Sequence, residues 1–168
     1  NRGTNWRKKT EIGKNCLIMA YCHIAHDCKV GDNSIFSNNS TLAGHVTVQD
    51  YVILAGMVAV HQFCNIGRHA FIAGGSLVRK DIPPFVKAAR EPLSYVGINS
   101  VGLRRRGFES EKIREIQNIY RILYQKKFNN TQAIDIIEAE VEATTARDEI
   151  LLFIKNSQRG IMKGYVQN

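Results

Sequence analysis

Apolar residues recur at every sixth position over residues 12–78 of the chain. The series runs Ile12, Ile18, Ile24, Val30, Phe36, Leu42, Val48, Leu54, Val60, Ile66, Ile72 and Val78. A period of six matches neither the 3.6-residue repeat of a helix nor the two-residue alternation of a half-buried strand. It is typical of a hexapeptide-repeat solenoid, in which very short strands stack. We therefore predict a β-solenoid, a left-handed parallel β-helix whose large apolar side chains point inward.

A small side chain follows each of the first eleven apolar positions by four residues. This second series runs Cys16, Cys22, Cys28, Ser34, Ser40, Val46, Val52, Val58, Cys64, Ala70 and Ser76. All four cysteines of the chain belong to it, at positions where serine, alanine and valine stand elsewhere. We interpret them as compact apolar core residues rather than as disulfide partners or zinc ligands.

The repeat divides the chain into three predicted segments. Pro83 and Pro84 lack the N–H that a strand ladder needs, so we place the end of the hexapeptide-repeat β-helix at residue 84. We read residues 85–108 as an irregular connector with an arginine-rich loop, and residues 109–168 as a small α-helical subdomain. Because the repeat is already close to Asn1, we expect N-terminal coils of the solenoid to be missing.

Three helices are predicted in the last segment from apolar residues at helical spacing. The first runs from about Glu111 to Lys127, with Ser110 as its N-cap. The second follows a break at Asn129 and Asn130 and takes Thr131 as its cap. The third covers residues 147–156.

The net charge of +8 is unevenly distributed. Residues 1–9 carry +4 and residues 79–106 carry +5, whereas residues 10–78 carry −1. Such basic patches attract an acidic protein or a polyanion. We expect no nucleic-acid partner, because no aromatic-lined basic groove or binding motif is present. We expect a cytoplasmic location without stable membrane insertion, since no signal peptide or long apolar run occurs.

Histidines gather at one corner of the predicted solenoid. Three hexads make one coil, so residues 18 apart stack vertically, about 4.8 Å from one another. In this register His26, His45 and His61 fall in the third hexad of three consecutive coils. His23 lies just before the same corner, and His69 lies around another one. None of the three stacked histidines occupies an inward position, so we predict a functional site at their shared corner.

General-base catalysis is the chemistry that this corner favours. An imidazole with a pKa of about 6.5 accepts a proton from a hydroxyl group near neutral pH. Asp27 directly follows His26 and is placed to orient it, and Gly44 offers a backbone N–H that can stabilise an oxyanion. The competing chemistry is a metal site of the γ-class carbonic anhydrase type, which uses a His-x4-His pair. The pair here is His23-x-x-His26, so we expect no metal.

Four short motifs appear in a fixed order along the chain. They are His23-Ile24-Ala25-His26-Asp27-Cys28, Leu42-Ala43-Gly44-His45-Val46, Ala59-Val60-His61-Gln62-Phe63 and Arg105-Arg106-Gly107-Phe108. This succession resembles the acyl-[acyl carrier protein]:UDP-N-acetylglucosamine O-acyltransferases, the family that begins lipid A biosynthesis in Gram-negative bacteria. The resemblance extends through nearly the whole chain, including its helical tail.

The resemblance implies a reaction and a set of site residues. His26 is expected to deprotonate the glucosamine 3-hydroxyl, which attacks the thioester of a (3R)-hydroxyacyl chain on acyl carrier protein. The Gly44 N–H is expected to face the thioester carbonyl. Substrate contacts are expected at His23, His45, His61, Gln62, Asn99, Arg105 and Arg106, and Gly74 is expected at the far end of the acyl groove. No cofactor is expected beyond the pantetheine arm that arrives with the substrate. The family works as a homotrimer with active sites between subunits.

The chain departs from the family pattern at three places. Val101 replaces a common glutamate, and Asn1 and Pro92 each stand where a histidine is common. Three other functions remain open on the sequence. They are a UDP-sugar N-acyltransferase of the same pathway, another hexapeptide acyltransferase such as one that uses acetyl-CoA, and a β-helix scaffold without catalysis. The acyl chain length and the acceptor atom are not determined by these motifs.

Overall fold

The computed structural model describes residues 1–125 and 128–164 of the chain, which form fifteen strands and four α-helices. The strands of the solenoid are β1 Glu11–Ile12, β2 Leu17–Ile18, β3 His23–Ile24, β4 Lys29–Val30, β5 Ile35–Phe36, β6 Thr41–Leu42, β7 Thr47–Val48, β8 Ile53–Leu54, β9 Ala59–Val60, β10 Asn65–Ile66, β11 Phe71–Ile72 and β12 Leu77–Val78. They are followed by β13 Val86–Ala89, β14 Ser94–Ile98, α1 Ser100–Arg105, α2 Ser110–Gln125, α3 Asn130–Glu140, α4 Thr145–Asn156 and β15 Lys163–Gly164.

The two-residue strands stack into three parallel sheets, one for each face of a triangular solenoid. One face has the order β1-β4-β7-β10, the second begins β2-β5-β8-β11, and the third is β3-β6-β9-β12. Paired residues lie 18 apart, as Glu11 with Lys29 and His23 with Thr41 show. The predicted parallel β-helix with three hexads per coil is therefore confirmed.

The interior is filled by the two periodic series. The large apolar residues from Val30 to Val78 are at most 3% exposed, whereas Ile12 and Ile18 in the first coil are 51% and 37% exposed. Cys28 and Cys64 are buried, Cys16 and Cys22 are partly buried, and all four are free thiols. Their Sγ atoms lie near backbone carbonyls of the following coil, as in the 3.1 Å contact from Cys28 to Ala43. The interpretation as core residues is confirmed for Cys28 and Cys64, whereas Cys16 and Cys22 pack against the core from the less covered first coil.

Each corner turn contains one residue with a left-handed backbone, again every six residues. The set is Asn15, Tyr21, Asp27, Asn33, Asn39, His45, Tyr51, Met57, Phe63, His69 and Gly75. Asparagine, aspartate, histidine and glycine tolerate this conformation best. Because members 18 apart occupy equivalent turns, the corners carry vertical columns, one of which is Asp27, His45 and Phe63.

The predicted irregular connector was wrong. Strand β13 extends the second face by pairing in parallel with β11, with Phe71 opposite Lys87, and β14 pairs antiparallel with β13. Pro83 and Pro84 lie in the corner turn before β13, where no ladder N–H is required, so they interrupt the repeat without ending the sheet. The arginine-rich segment is not a loop, because Arg104 and Arg105 form the last turn of α1.

The helical segment follows the prediction apart from its ends. Helix α2 begins at Ser110, and the predicted end at Lys127 lies outside the described residues. Helix α3 is capped by Asn129 in a reciprocal capping box with Gln132, not by Thr131. Buried Ile116 and Tyr120 of α2 and Ile150 of α4 belong to the same core as the solenoid. No helix within the described parts of the chain is long and apolar enough to cross a membrane.

Candidate active site

His26 and Asp27 form a hydrogen-bonded pair in the corner turn between β3 and β4. The His26 Nδ1 atom lies 2.9 Å from Asp27 Oδ2. The His26 side chain is 42% exposed, whereas that of Asp27 is fully buried. The turn therefore presents an imidazole to solvent and holds its carboxylate partner beneath the surface.

Asp27 is held as a carboxylate by donors from the N-terminal loop, residues 1–10. Burial alone would raise the pKa of Asp27. The hydrogen bonds from Thr4, His26 and the Arg7 N–H outweigh burial and hold that pKa well below its usual range. An ionised carboxylate only accepts hydrogen bonds, so the neutral His26 ring carries its proton on Nδ1. Nε2 then keeps its lone pair, which is the atom a general base needs.

Gly44 is stacked one coil beyond His26 and leaves room for its ring. A Cβ atom on Gly44 would lie 2.6 Å from His26 Cε1 and 2.7 Å from Nε2. Any side chain here would therefore collide with the reactive edge of the imidazole. Among the described residues, none is recorded as accepting a hydrogen bond from the Gly44 N–H. The donor predicted from the sequence thus belongs to a residue that adjoins the His26 ring, and it has no partner in the described part of the chain.

His45 occupies the centre of an aromatic column at the same corner. Its ring stacks on Phe63 with centroids 4.6 Å apart and meets the His26 ring edge to face at 5.0 Å. Trp6 closes the column from the other side, 5.8 Å from His45 and 77% exposed. The His45 Nδ1 atom is buried and has no hydrogen-bond partner within the described part of the chain.

His61 and Gln62 reach the same corner one coil further on. Gln62 is stacked above Gly44 in the 18-residue register, and the side chains of His61 and Gln62 are exposed. The His61 Nδ1 atom lies 3.1 Å from the Gln62 carbonyl oxygen. His23 projects from β3 on the adjacent face and is exposed. The sequence prediction of a shared histidine corner is thus confirmed for His26 and His45, whose rings touch.

Gly74 lies on the opposite edge of the third face, in the turn between β11 and β12. A Cβ atom there would lie 3.1 Å from the Gly56 carbonyl oxygen, so even alanine would be tightly packed. The third face, which carries His23, therefore extends between the His26 corner and the Gly74 corner. The role of Gly74 at the far end of an acyl groove stays a prediction.

Asn99, Arg105 and Arg106 lie at a different corner, beside His69. The Asn99 amide caps α1 by accepting from the Gly102 N–H at 3.2 Å and donates to the His69 carbonyl at 2.9 Å. Arg106 lies over the Tyr51 ring at 5.2 Å, and Arg105 is exposed. Within one chain these residues are not brought to the His26 corner. Their predicted contact with the nucleotide stays a prediction, and Asn99 has a structural role that the sequence analysis missed.

His69 is the buried histidine of that second corner. It stacks between Tyr51 and Phe85, with Phe108 edge-on, and is 3% exposed. Burial, together with the positive charges of Arg68 and Arg106, lowers the pKa of His69 to about 4. The His69 ring is neutral near pH 7. It is buried among aromatic rings, whereas the His26 ring is partly exposed to solvent.

One group of side chains in residues 1–125 and 128–164 is close enough to share a metal ion. It consists of His26, Asp27 and His45, whose ligand atoms lie within 4.8 Å of one another. The Asp27 oxygens already accept hydrogen bonds from Thr4, Arg7 and His26. The expected absence of a metal stays a prediction.

The sequence analysis missed the N-terminal loop. Thr4 and Arg7 contact Asp27 across 23 and 20 residues, before the hexapeptide series begins. No periodicity connects these positions, so the repeat gave no signal for them. Phe63 belongs to the third motif, but its stacking on the His45 ring was likewise not predicted.

Comparison with known proteins agrees with this architecture. Residues 9–44 match the six-repeat bacterial transferase hexapeptide family, and residues 81–162 match domain 2 of UDP N-acetylglucosamine O-acyltransferase. The acyl-[acyl-carrier-protein]–UDP-N-acetylglucosamine O-acyltransferase of Herminiimonas arsenicoxydans is 47% identical over 92% of this chain and 60% of its own length. The protein of the same name from Aliivibrio salmonicida is 44% identical over 97% of this chain and 63% of its own length.

Solved structures give the same result. A UDP-N-acetylglucosamine acyltransferase from Bacteroides fragilis superposes with a TM-score of 0.93 at 44% identity, covering 96% of this chain and 63% of that protein. The Arabidopsis UDP-N-acetylglucosamine acyltransferase superposes with a TM-score of 0.88 at 41% identity, over 92% of this chain and 57% of that one. The chain spans about three fifths of the length of the relatives it matches. By sequence and by fold, the chain belongs to the UDP-N-acetylglucosamine O-acyltransferase family.

Proposed function

We propose that the whole protein transfers a (3R)-hydroxyacyl chain from acyl carrier protein to the 3-hydroxyl of UDP-N-acetylglucosamine. The names of the relatives, which include both substrates, support this reaction class. The observation that carries the mechanism is the His26–Asp27 pair, with Nδ1 held by a buried carboxylate at 2.9 Å and the ring partly exposed. A histidine oriented in this way is suited to removing a proton from a hydroxyl group.

The proposed step is a direct transfer. His26 Nε2 takes the proton of the sugar 3-hydroxyl as its oxygen attacks the thioester carbonyl. The Gly44 N–H stabilises the oxyanion that forms, and collapse of this intermediate expels the carrier thiolate, which takes up the proton from His26. The buried Cys28 and Cys64 do not take part, because burial raises the pKa of both thiols, that of Cys64 to about 11, and disfavours their thiolates.

The chemistry as proposed requires no resident cofactor or metal. The thioester arrives on the pantetheine arm of acyl carrier protein, and the His26–Asp27 pair supplies the base. Prolonged dialysis against EDTA is expected to leave turnover unchanged. A loss of activity that zinc restores would instead assign a ligand role to His26, Asp27 and His45.

We further propose that the active site is completed by a neighbouring subunit in a homotrimer. Exposed apolar side chains flank the face that adjoins the His26 corner. Met57 and Phe63, 66% and 44% exposed, lie in the turns before and after β9, and Leu77 on β12 is 40% exposed. Association buries such a surface. Light scattering of the purified protein should give the mass of three chains, and a monomeric, fully active protein would refute the proposal.

The direct test of the reaction is an acyl-transfer assay read by mass spectrometry. The protein is mixed with UDP-N-acetylglucosamine and a series of 3-hydroxyacyl carrier proteins of different chain lengths. An O-acylated nucleotide sugar is expected, and the same experiment reports the preferred chain. A parallel reaction with the UDP-amino-sugar analogue tests nitrogen as the acceptor, and acetyl-CoA tests the alternative donor.

The direct test of the mechanism is His26→Ala. Loss of a general base is expected to lower kcat by about 10²-fold or more. Because the variant also removes a hydrogen bond to the buried Asp27 carboxylate, its unfolding midpoint is measured as well, and kcat is compared well below that midpoint to separate loss of chemistry from loss of fold. An unchanged kcat would exclude His26 as the base. A wild-type protein that transfers no acyl group from any tested donor would instead favour the non-catalytic scaffold.

A further inference from the structure

The N-terminal loop surrounds the Asp27 carboxylate with donors. The Thr4 N–H lies 3.0 Å from both carboxylate oxygens, and the Thr4 hydroxyl donates to Oδ2 at 2.6 Å. The Arg7 N–H donates to Oδ1 at 3.1 Å, and the Arg7 guanidinium donates to the Asp27 carbonyl at 3.1 Å. Thr10 accepts from the Asp27 N–H at 2.9 Å. The loop therefore contacts every polar group of this one residue.

The Thr4 hydroxyl and the His26 ring meet at the same carboxylate oxygen. Oδ2 accepts from Thr4 Oγ1 at 2.6 Å and from His26 Nδ1 at 2.9 Å. Hydrogen bonds to a charged acceptor are short and strong, and the Thr4 hydroxyl, the closest of the three donors to Oδ2, limits the directions in which the oxygen can move. The position of Oδ2 in turn sets the plane of the His26 ring and hence the direction of Nε2.

We propose that Thr4 is a positioning residue for His26, acting through Asp27. The Thr4 side chain donates to Oδ2 and keeps the carboxylate aligned with Nδ1, so that Nε2 points to one place on the surface beside Gly44. Thr4 does not itself touch the reacting atoms. This inference rests on the proposed function for its kinetic consequence, but its structural content concerns the His26 ring alone.

A purely structural role of Thr4 makes a different prediction. In that case the hydroxyl only anchors the loop, and its loss lowers stability without a specific effect on turnover. Thr4 is exposed, so its replacement by the isosteric valine creates no core cavity. Both backbone donors to the carboxylate, from Thr4 and Arg7, remain in such a variant. The hydroxyl is the single group that changes.

The kinetic test compares Thr4→Val with Thr4→Ser in the whole protein. Thr4→Val is expected to lower kcat about tenfold while KM for both substrates stays within twofold, because small displacements of a catalytic group reduce the rate without weakening binding. Thr4→Ser restores the hydroxyl and should recover most of kcat. Thr47→Val is the matched control, since Thr47 accepts from the Arg7 side chain at 3.2 Å and has no recorded contact with Asp27. A Thr4→Val enzyme with kcat within twofold of wild type would overturn the proposal.

A second readout requires no turnover. In ¹⁵N-labelled protein above pH 8, the His26 ring is expected in the tautomer with hydrogen on Nδ1, and Thr4→Val should increase the fraction with hydrogen on Nε2. If the wild-type protein forms no acylated sugar, the proposed function fails, and the ratio of the two His26 tautomers alone decides whether Thr4 has a positioning role. In that case an unchanged ratio in Thr4→Val refutes it, and a shift that Thr4→Ser reverses supports it.

Discussion

Replacing Gly44 by alanine tests the geometry of the site most directly. The glycine is not required by its backbone, since it is not among the glycines with a left-handed conformation. It is required by space, because the added Cβ would lie 2.6 Å from His26 Cε1 and 2.7 Å from Nε2. The variant keeps the backbone N–H and adds one methyl group.

The expected magnitude follows from these distances. An ordinary contact between a Cβ and a ring atom is 3.4–4 Å, so the His26 ring must withdraw by about 1 Å. Its Nδ1 atom is held at 2.9 Å from the buried Asp27, so the withdrawal also strains that hydrogen bond. Misplacement of a catalytic group by about 1 Å lowers the rate by about 10²-fold. We expect kcat of Gly44→Ala to fall by that factor.

Gly56→Ala is the matched control. Gly56 lies two hexads further along the chain at the equivalent turn position, and a Cβ atom there meets only the Asn38 carbonyl oxygen at an ordinary 3.6 Å. Both variants should be assayed for kcat and for their unfolding midpoints. Gly56→Ala is expected to retain wild-type kcat and stability.

The result that would refute this reasoning is a Gly44→Ala enzyme as active as Gly56→Ala. It would mean that the ring of His26 does not occupy the position described or that Nε2 is not the base. A low kcat in Gly44→Ala that a smaller acyl donor does not restore would place the defect at His26 rather than in the substrate groove.

Two further predictions concern stability. The pKa of His69 is near 4 in the folded chain and about 6.5 in the unfolded chain. Between these pH values the unfolded state binds more protons, so the free energy of unfolding decreases as the pH falls from about 6.5 to about 4. From pH 7 to pH 5 the loss is about 2 kcal/mol, and urea unfolding at both pH values should show it in wild type and not in His69→Asn. Tyr120→Phe removes a buried hydrogen bond of 2.6 Å to the Pro84 carbonyl and should cost about 1–2 kcal/mol by the same assay. Tyr124→Phe is the comparison, since it removes a longer, part-buried bond of 3.0 Å to the Met162 carbonyl and should cost less. A smaller loss in Tyr120→Phe than in Tyr124→Phe would contradict this order.

The solenoid was predictable from sequence because its period is strict and local. Each hexad places one large and one small residue inward, and the 18-residue coil follows from three faces. The same arithmetic brought His26 and His45 to one corner, and their rings lie 5.0 Å apart. The roles of Asp27 and Gly44 came from the chemistry of neighbouring residues rather than from the repeat, and the family resemblance added that the Gly44 N–H faces the thioester carbonyl.

Other parts of the structure depended on contacts that no period encodes. Strand β13 pairs with β11 at an offset of 16 residues, so it does not continue the six-residue series. Thr4 meets Asp27 through a loop that precedes the repeat. The cap of α3 is Asn129 rather than the predicted Thr131, because Asn129 and Gln132 cap each other reciprocally.

The cytoplasmic location stays a prediction.

The left-handed turn residues limit how this site can change by insertion and deletion. Asp27, His45 and Phe63 occupy equivalent turns, and the rings of His45 and Phe63 stack, because successive members of this column are 18 residues apart. A single residue inserted between Asp27 and His45 would shift the six-residue register of the coil, so that side chains now inside would face solvent. The register is kept only if the extra residue is accommodated as a bulge. Insertions are therefore tolerated as loops outside the strands, whereas changes in coil length between residues 27 and 63 should occur in whole turns of 18 or abolish the site.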